Sequence, residues 1–439
     1  MKAAPTLDRP LGRTEHIYWL LDQLYCLNFV AFAEVEGSLE EADLLSALTV
    51  VQRENPVLRT RIVVDGDNRP RFEPVSQSER PLRLDICSLR NWRRQIDTQL
   101  MKAFDPDREP LARFQWYRGK GRRSVVAMVF HHAIADGKSG AAVLLDVLRR
   151  ACGDDSPAVL KPARPSSQQL DMASARKPVE SKLKELRFWL DTGKKVLKFP
   201  EQLPGYDMES RPGRKIRSIP FNLPTTASRN LAAACRKHET TIHGALGASL
   251  LLAINAEFER EKPRHLGLNS LADLRGVLSG GLTEQDLGLY ISTLTTVHRL
   301  ETTPKFWRLA REIPEQLRSI MDSGDANAIN GIYTEISLFS PDLAGARRVQ
   351  KIVALAAPSS MLTNIGRIAE VPLGDNLKIR SLAFAVSPPA QHPVCVTAAS
   401  YGGQMCLNLL YDECKIESAQ ASRMADAMLA RLQEAGGKH

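Results

Sequence analysis

The sequence is poor in the residues that would staple or metallate a small domain. It has seven cysteines in 439 residues, Cys26, Cys87, Cys152, Cys235, Cys395, Cys406 and Cys414, and no two form a Cys-x-x-Cys pair. An odd, scattered set argues against a disulfide framework or a zinc ribbon and fits a reducing cytosol. Aromatic residues make up only 6% of the chain and no nucleic-acid-binding signature is visible, which makes nucleic acid a weak candidate for a partner. Long apolar runs are also missing. The longest, residues 244–256, is too short and too rich in small side chains to span a bilayer. The first sixteen residues lack the apolar segment of a signal peptide. A soluble, cytoplasmic protein is the expectation. No Gly-x-Ser-x-Gly elbow occurs, which removes the commonest setting for an activated serine.

What is present is length and positive charge. At 439 residues the chain exceeds one ordinary core, so two domains or two halves of one fold are expected. The net charge is +9, with local knots at 118–123 (RGKGRR) and 90–94 (RNWRR). Basic loops are usually only solvated, but an anionic partner, a phosphorylated cofactor or an acidic carrier protein, fits them too.

Periodicity and turn residues predict helices over 15–28, 40–53 (with Ser38 as N-cap), 92–104, 138–150, 181–195, 226–238, 241–259, 304–321 and 416–434. Short strands are predicted at 29–35, 58–64, 82–85, 111–116, 125–130, 216–221, 265–270, 290–298, 377–386, 394–400 and 405–410. The stretch 323–357 shows no clear pattern. Residues 154–180, with Pro157, Pro162, Pro165 and Pro178, read as a linker between an N-terminal lobe, 1–153, and a C-terminal lobe, 181–439.

The chemistry concentrates in residues 124–140, SVVAMVFHHAIADGKSG. A β-branched-rich run ends in His131 and His132. Asp136 and Gly137 follow, and an amphipathic helix begins. Adjacent histidines on an extended segment point to opposite faces, a poor arrangement for chelating a metal, and no ligand cluster lies near in sequence. Ser139 sits at a helix start, where capping is its simpler role. One imidazole serving as a general base in a partly dry site fits better, with the other histidine packed inward. Asp136 is then either an orienting partner or an anchor paired with a distant arginine. A polar strand end without chemistry is the alternative.

His131-His132-Ala133-Ile134-Ala135-Asp136-Gly137 resembles the His-His-x-x-x-Asp-Gly signature of the condensation-domain superfamily. That group includes peptide condensation domains, polyketide-associated acyltransferases and alcohol acetyltransferases. Asn55-Pro56-Val57-Leu58-Arg59 resembles the family's His-Pro-x-Leu-Arg, with Asn for His, and Phe104-Asp105 followed by Pro110–Arg113 resembles the segment leading into the motif strand. Asp273-Leu274-Arg275 and Thr363–Arg367 (TNIGR) resemble segments typical of the polyketide-associated and alcohol acetyltransferase branches. The Asp-Phe-Gly-Trp-Gly of the plant acyltransferases is absent.

The resemblance implies a mixed α/β fold of two chloramphenicol-acetyltransferase-like lobes in a V, with a tunnel between them. It implies His132 as general base, His131 as structural, and Asp136 paired with Arg275 across the two halves. Gly137 is implied to let the backbone turn near a thioester, with Ser139 and Asn364 close to the substrate. The implied activity is O-acyl transfer from acyl-coenzyme A or an acyl- or peptidyl-carrier protein to a hydroxyl, with no metal and no permanently bound cofactor, by a monomer. A stand-alone amide-forming condensation enzyme and a catalytically silent scaffold remain as alternatives.

Overall fold

The computed structural model describes residues 4–105, 109–170, 200–209, 213–259, 262–322, 339–354, 357–374 and 376–437. Its strands in chain order are β1 (Arg9–Pro10), β2 (Asn28–Gly37), β3 (Thr60–Val64), β4 (Pro70–Pro74), β5 (Leu84–Ser88), β6 (Ala112–Arg118), β7 (Arg123–His131), β8 (Ile216–Leu223), β9 (Arg264–Asp273), β10 (Ile291–Leu300), β11 (Ser360–Arg367), β12 (Leu377–Val386), β13 (Val394–Tyr401) and β14 (Gln404–Asp412). The first four helices are α1 (Arg13–Asp22), α2 (Glu41–Glu54), α3 (Trp92–Leu100) and α4 (Gly137–Ala151).

The motif strand sits where a continuous apolar run belongs. β7 is buried at every position from Ser124 to His131, because it lies inside a five-stranded sheet of order β12-β2-β7-β6-β5. A strand covered on both faces needs no polar alternation. β6 and β7 form the expected antiparallel hairpin. The second large sheet has six strands in the order β10-β9-β11-β13-β14-β8, and β1, β4 and β3 make a small third one. The apolar helix Ile242–Asn255 and the buried faces of the amphipathic helices Phe306–Asp322 and Ser418–Ala435 help to build the core around the six-stranded sheet. The fold is mixed α/β, as expected.

The lobe boundary needs correction. β12 lies within 181–439 yet pairs with β2, from Leu377 opposite Gly37 to Val386 opposite Phe29, and so completes the N-terminal sheet. The entry of this crossing strand depends on Gly37. Its φ is +146°, and a Cβ there would sit 1.9 Å from the Asn376 carbonyl oxygen, so only glycine fits. Once across, β12 is held from the other side by Thr397 Oγ1 and Asn408 Nδ2, which donate to the Phe384 carbonyl at 2.6 and 3.0 Å.

Other differences have local causes. The first helix stops at Asp22, whose carboxylate accepts the Leu27 N–H at 2.6 Å and turns the chain. Glu40, not Ser38, is the N-cap of α2, and it makes no side-chain cap bond. Residues Pro56–Arg59 form a 3-10 turn rather than the start of β3. β4 and β11 are strands that periodicity passed over, and Leu343–Ala354 is a helix within the stretch left unassigned. That helix buries Ala346 and Val349 against Ile17, Leu20 and Leu21 of α1. The expected helix at 181–195 and the end of the linker, 171–180, lie outside the described residues. Among the described residues no helix is long and apolar enough to cross a membrane.

Candidate active site

β7 delivers the two histidines to the end of the sheet, and they turn apart. His131 places Nδ1 3.1 Å from the Ala133 N–H, which donates to it. Its Nε2 faces Asp22 at 3.4 Å. Burial alone pulls the Asp22 carboxyl up, but the charge and hydrogen bond of His131 and the Leu27 N–H together hold it below its ordinary value. His132 instead points Nδ1 at the Ala135 carbonyl, 3.0 Å away. A carbonyl only accepts, so Nδ1 carries the proton and Nε2 keeps its lone pair. The rings of Tyr18 and Phe29 lie 4.5 and 5.0 Å from the imidazole. Burial pushes His132 down to about 4, so at neutral pH it is an uncharged base.

His16, His243 and His392 are likewise pushed by burial to about 4. In the unfolded chain an imidazole protonates near pH 6.5, roughly. Above that pH both states are neutral. Below it the unfolded state takes up protons that the folded state refuses, so stability is lost as pH falls from about 6.5 towards 4. Asp97 opposes this, since burial raises it to about 6 and the folded state then gains a proton first. Four imidazoles against one carboxyl predict a urea midpoint that drops steadily between pH 6.5 and 4.5. A midpoint that holds or rises would show that the imidazoles are solvated.

Asp136 binds both halves of the chain. It is the N-cap of α4, with Oδ1 accepting the Ser139 N–H at 3.0 Å and the Ser139 hydroxyl at 3.1 Å. Oδ2 meets Arg275 Nη2 at 2.9 Å and accepts the Tyr290 N–H at 3.0 Å. Arg275 is 5% exposed and has its remaining donors taken: Nη1 by Asp273 at 3.0 Å and Nε by the Thr283 carbonyl at 3.0 Å. Lys138 adds an outer tie to Asp273 and Glu284, at 3.1 and 3.0 Å.

Three residues expected near the substrate have other work here. Ser139 is fully buried and its hydroxyl is spent on Asp136 and on the Gly288 carbonyl, 3.3 Å away. It is the reciprocal member of the cap, and its hydroxyl has partners on both sides of the lobe contact. Asn364 Oδ1 accepts the Gly366 N–H at 2.9 Å, which holds the bulge where Gly366 adopts φ +77°. The next residue, Ile365, is the one that meets the motif. Gly137 is not a left-handed turn residue. It opens α4, and a Cβ there would fall 2.9 Å from Ile365 Cγ2 and 3.3 Å from Phe384 Cε2. Its smallness lets α4 close onto β11 and β12. Replacing it with alanine is expected to cost about 1–3 kcal/mol through overpacking, read as a lower urea midpoint. An unchanged midpoint would mean that Ile365 yields freely.

The two basic knots lie near each other: Leu89, the residue before the 90–94 knot, donates its N–H to the Arg118 carbonyl at 3.0 Å. They lie, however, at the Arg123 end of β7, roughly 27 Å from the histidines at strand rise. Part of their charge is engaged, Arg93 by Glu34 at 2.8 Å and Arg123 by Glu36 at 3.7 Å.

Asp22, Tyr18, Phe29 and Tyr290 are the site residues that pattern reading missed. Tyr290 acts through its backbone and leaves no signal in the sequence. Asp22 was hidden inside a predicted helix that continued past it.

With this geometry in place, comparison with known proteins is decisive. The model of the Condensation domain family matches residues 19–332. The chain belongs to the condensation-domain family. Its similarity to a linear gramicidin synthase of Brevibacillus parabrevis is 25% identity over 337 residues, 70% of this chain and 6% of the relative. The chain spans less than a tenth of the length of the curated relatives it matches. Among solved structures, it resembles the first condensation domain of the calcium-dependent antibiotic synthetase with TM-score 0.69 and 13% identity, over 98% of this chain and 97% of the other. It resembles the TRI3 trichothecene 15-O-acetyltransferase of Fusarium sporotrichioides with TM-score 0.68 and 13% identity, over 97% and 94%. These likenesses establish the two-lobed fold of condensation and acyltransferase domains, and with the family they support a transferase.

Proposed function

We propose that this condensation-domain protein is an O-acyltransferase that moves an acyl group from a thioester, coenzyme A or carrier-protein bound, to a hydroxyl acceptor, with His132 as general base. The observation that carries the reading is the tautomer set by the Ala135 carbonyl, which leaves a neutral Nε2 as proton acceptor. Nε2 takes the acceptor's hydroxyl proton as the oxygen adds to the thioester carbonyl. The tetrahedral adduct then collapses, the carbon–sulfur bond breaks, and the leaving thiolate takes the proton back from the imidazolium. The Nδ1–H···O bond to Ala135 stabilises that imidazolium while it exists. The cycle needs no metal, no covalent enzyme intermediate and no resident cofactor.

Amide formation is the second reading, because the same base serves an amine and the structural neighbours include a condensation domain of an antibiotic synthetase. An O-acetyltransferase among those neighbours and the Asp-Leu-Arg and Asn-Ile-Gly-Arg segments favour the ester. The separation of the basic knots from the histidines removes them as a direct seat for the reacting thioester, so the donor's identity rests on assay. Thiol release from acetyl- and longer acyl-coenzyme A and from acyl-carrier protein, with a panel of alcohols and amines, tests both readings. Alcohol-dependent release supports ester formation and amine-dependent release the alternative. No release from any thioester would leave a scaffold.

A further inference from the structure

A glycine inside a helix is disfavoured against alanine, so one kept there needs a reason in its surroundings. Gly140 lies buried one turn into α4, its N–H bonded to the Asp136 carbonyl at 2.8 Å. A Cβ at this position would fall 2.5 Å from Cε2 and 2.8 Å from Cζ of Phe29, and 3.1 Å from Cε2 of Phe130. Both rings are fully buried. They form one cross-strand pair, Phe29 of β2 opposite Phe130 of β7, and stack with centroids 5.1 Å apart.

The same Phe29 ring lies 5.0 Å from the His132 imidazole, tilted by 54°. Helix, phenyl ring and imidazole thus stand in a chain of contact, and the missing Cβ is what lets the first two close. The chain has little slack. Asp136 ties the N-cap of α4 to Arg275 and the Tyr290 N–H at 2.9 and 3.0 Å, and the Gly137 backbone already closes on Ile365 and Phe384, so α4 is not free to lift. Phe29 gains no room by turning towards Phe130, because a methyl at Gly140 crowds both rings. The imidazole is the other aromatic ring that Phe29 meets, and packed interiors pass such a displacement on.

We propose that Gly140 is a positioning residue for the general base: its bare backbone seats the Phe29 ring under α4, and that ring holds the His132 imidazole in line with the acceptor hydroxyl. This rests on the acyl-transfer reading, in which Nε2 takes the acceptor's proton. Proton removal depends on the distance and angle at Nε2, and a misplacement of about 1 Å costs on the order of 10²-fold in rate.

Thiol release by Gly140→Ala, Phe29→Leu and the double variant tests it, with the His132 ring followed by nuclear magnetic resonance on nitrogen-labelled histidine and assigned by its loss in His132→Ala. Gly140→Ala is expected to lower kcat by about 10²-fold, with KM little changed and the His132 resonances displaced. Phe29→Leu removes the ring atoms that the new methyl would strike and should cost only a few-fold. The double variant should then turn over and resonate like Phe29→Leu, because the damage done by the methyl depends on the ring. If the methyl costs as much without the ring as with it, Gly140 does not act through Phe29 and the proposal falls. It falls too if Gly140→Ala moves only the urea midpoint and leaves kcat or the His132 resonances in place, the behaviour of a glycine needed for packing alone. Where Gly140→Ala by itself does not fold, the double variant decides by the same comparison with Phe29→Leu. Failure of the acyl-transfer reading looks different: His132→Ala would keep the parent rate while the resonances in Gly140→Ala still moved, and the positioning role would fall with it.

Discussion

His132→Ala is expected to lower thioester turnover by about 10²–10⁴-fold, the range of a lost general base, in a protein that remains folded. The ring hydrogen-bonds to the Ala135 carbonyl and packs against Tyr18 and Phe29. Losing such contacts costs about 1–3 kcal/mol, which a two-lobed domain of this size tolerates. Release of free thiol, followed beside near-ultraviolet circular dichroism, separates the two effects. A folded variant within tenfold of the parent rate would remove His132 from the chemistry and with it the acyl-transfer reading. The pH profile is an independent check. With the imidazole near 4, kcat/KM should stay level from pH 8 to about 5.5 and fall only as the base takes a proton below that. Brief exposure to acid keeps the stability loss predicted for the buried imidazoles from imitating this limb. A profile that breaks near 6.5 would mean that the ring is hydrated in the working enzyme.

The parts of this protein that could be read in the sequence are those written in local chemistry. Val125–Phe130 reads as a buried strand, since every residue in it is apolar, and Asp136 with Gly137 marks the start of the helix that follows. The Asp136–Arg275 contact joins residues far apart in the chain, and only the family resemblance of Asp273-Leu274-Arg275 pointed to it. What stayed hidden is set by tertiary neighbours. Nothing in Leu377–Val386 announces that it leaves its own lobe, because an apolar strand fits either sheet. The deciding feature is a backbone clearance at Gly37. Gly137 shows the same limit: the sequence marks a glycine, and the reason for it is a side chain, Ile365, more than two hundred residues away. Ser139 and Asn364 drew attention as polar residues near motifs, and both turn out to have a hydroxyl or carbonyl committed to shaping the backbone.

Asp136→Ala should behave as the opposite of His132→Ala, with loss of stability leading and loss of rate following. The carboxylate is 1% exposed and accepts from Arg275, the Ser139 N–H and hydroxyl, and the Tyr290 N–H. Removing it uncaps α4 and leaves a buried guanidinium with one anion fewer, a change that costs about 3–5 kcal/mol. Asp273 keeps part of that charge company, which places the effect towards the lower end. Arg275→Met strips the partner instead and leaves a buried carboxylate that still has three hydrogen bonds, so it should cost less. The double variant separates pairing from capping. If the ion pair dominates, Asp136→Asn with Arg275→Met recovers part of the stability lost by Asp136→Ala, because the amide oxygen still accepts the Ser139 N–H that caps α4 and the carboxylate and guanidinium are removed together, although the amide NH2 cannot replace the acceptor that the Tyr290 N–H loses. If the double variant melts no higher than Asp136→Ala, the cost lies in the cap and in α4 itself. An Asp136→Ala protein with the parent's urea midpoint would mean that the two lobes are held elsewhere, by the β12 crossing and the Lys138 contacts, and that the buried pair is not what joins them.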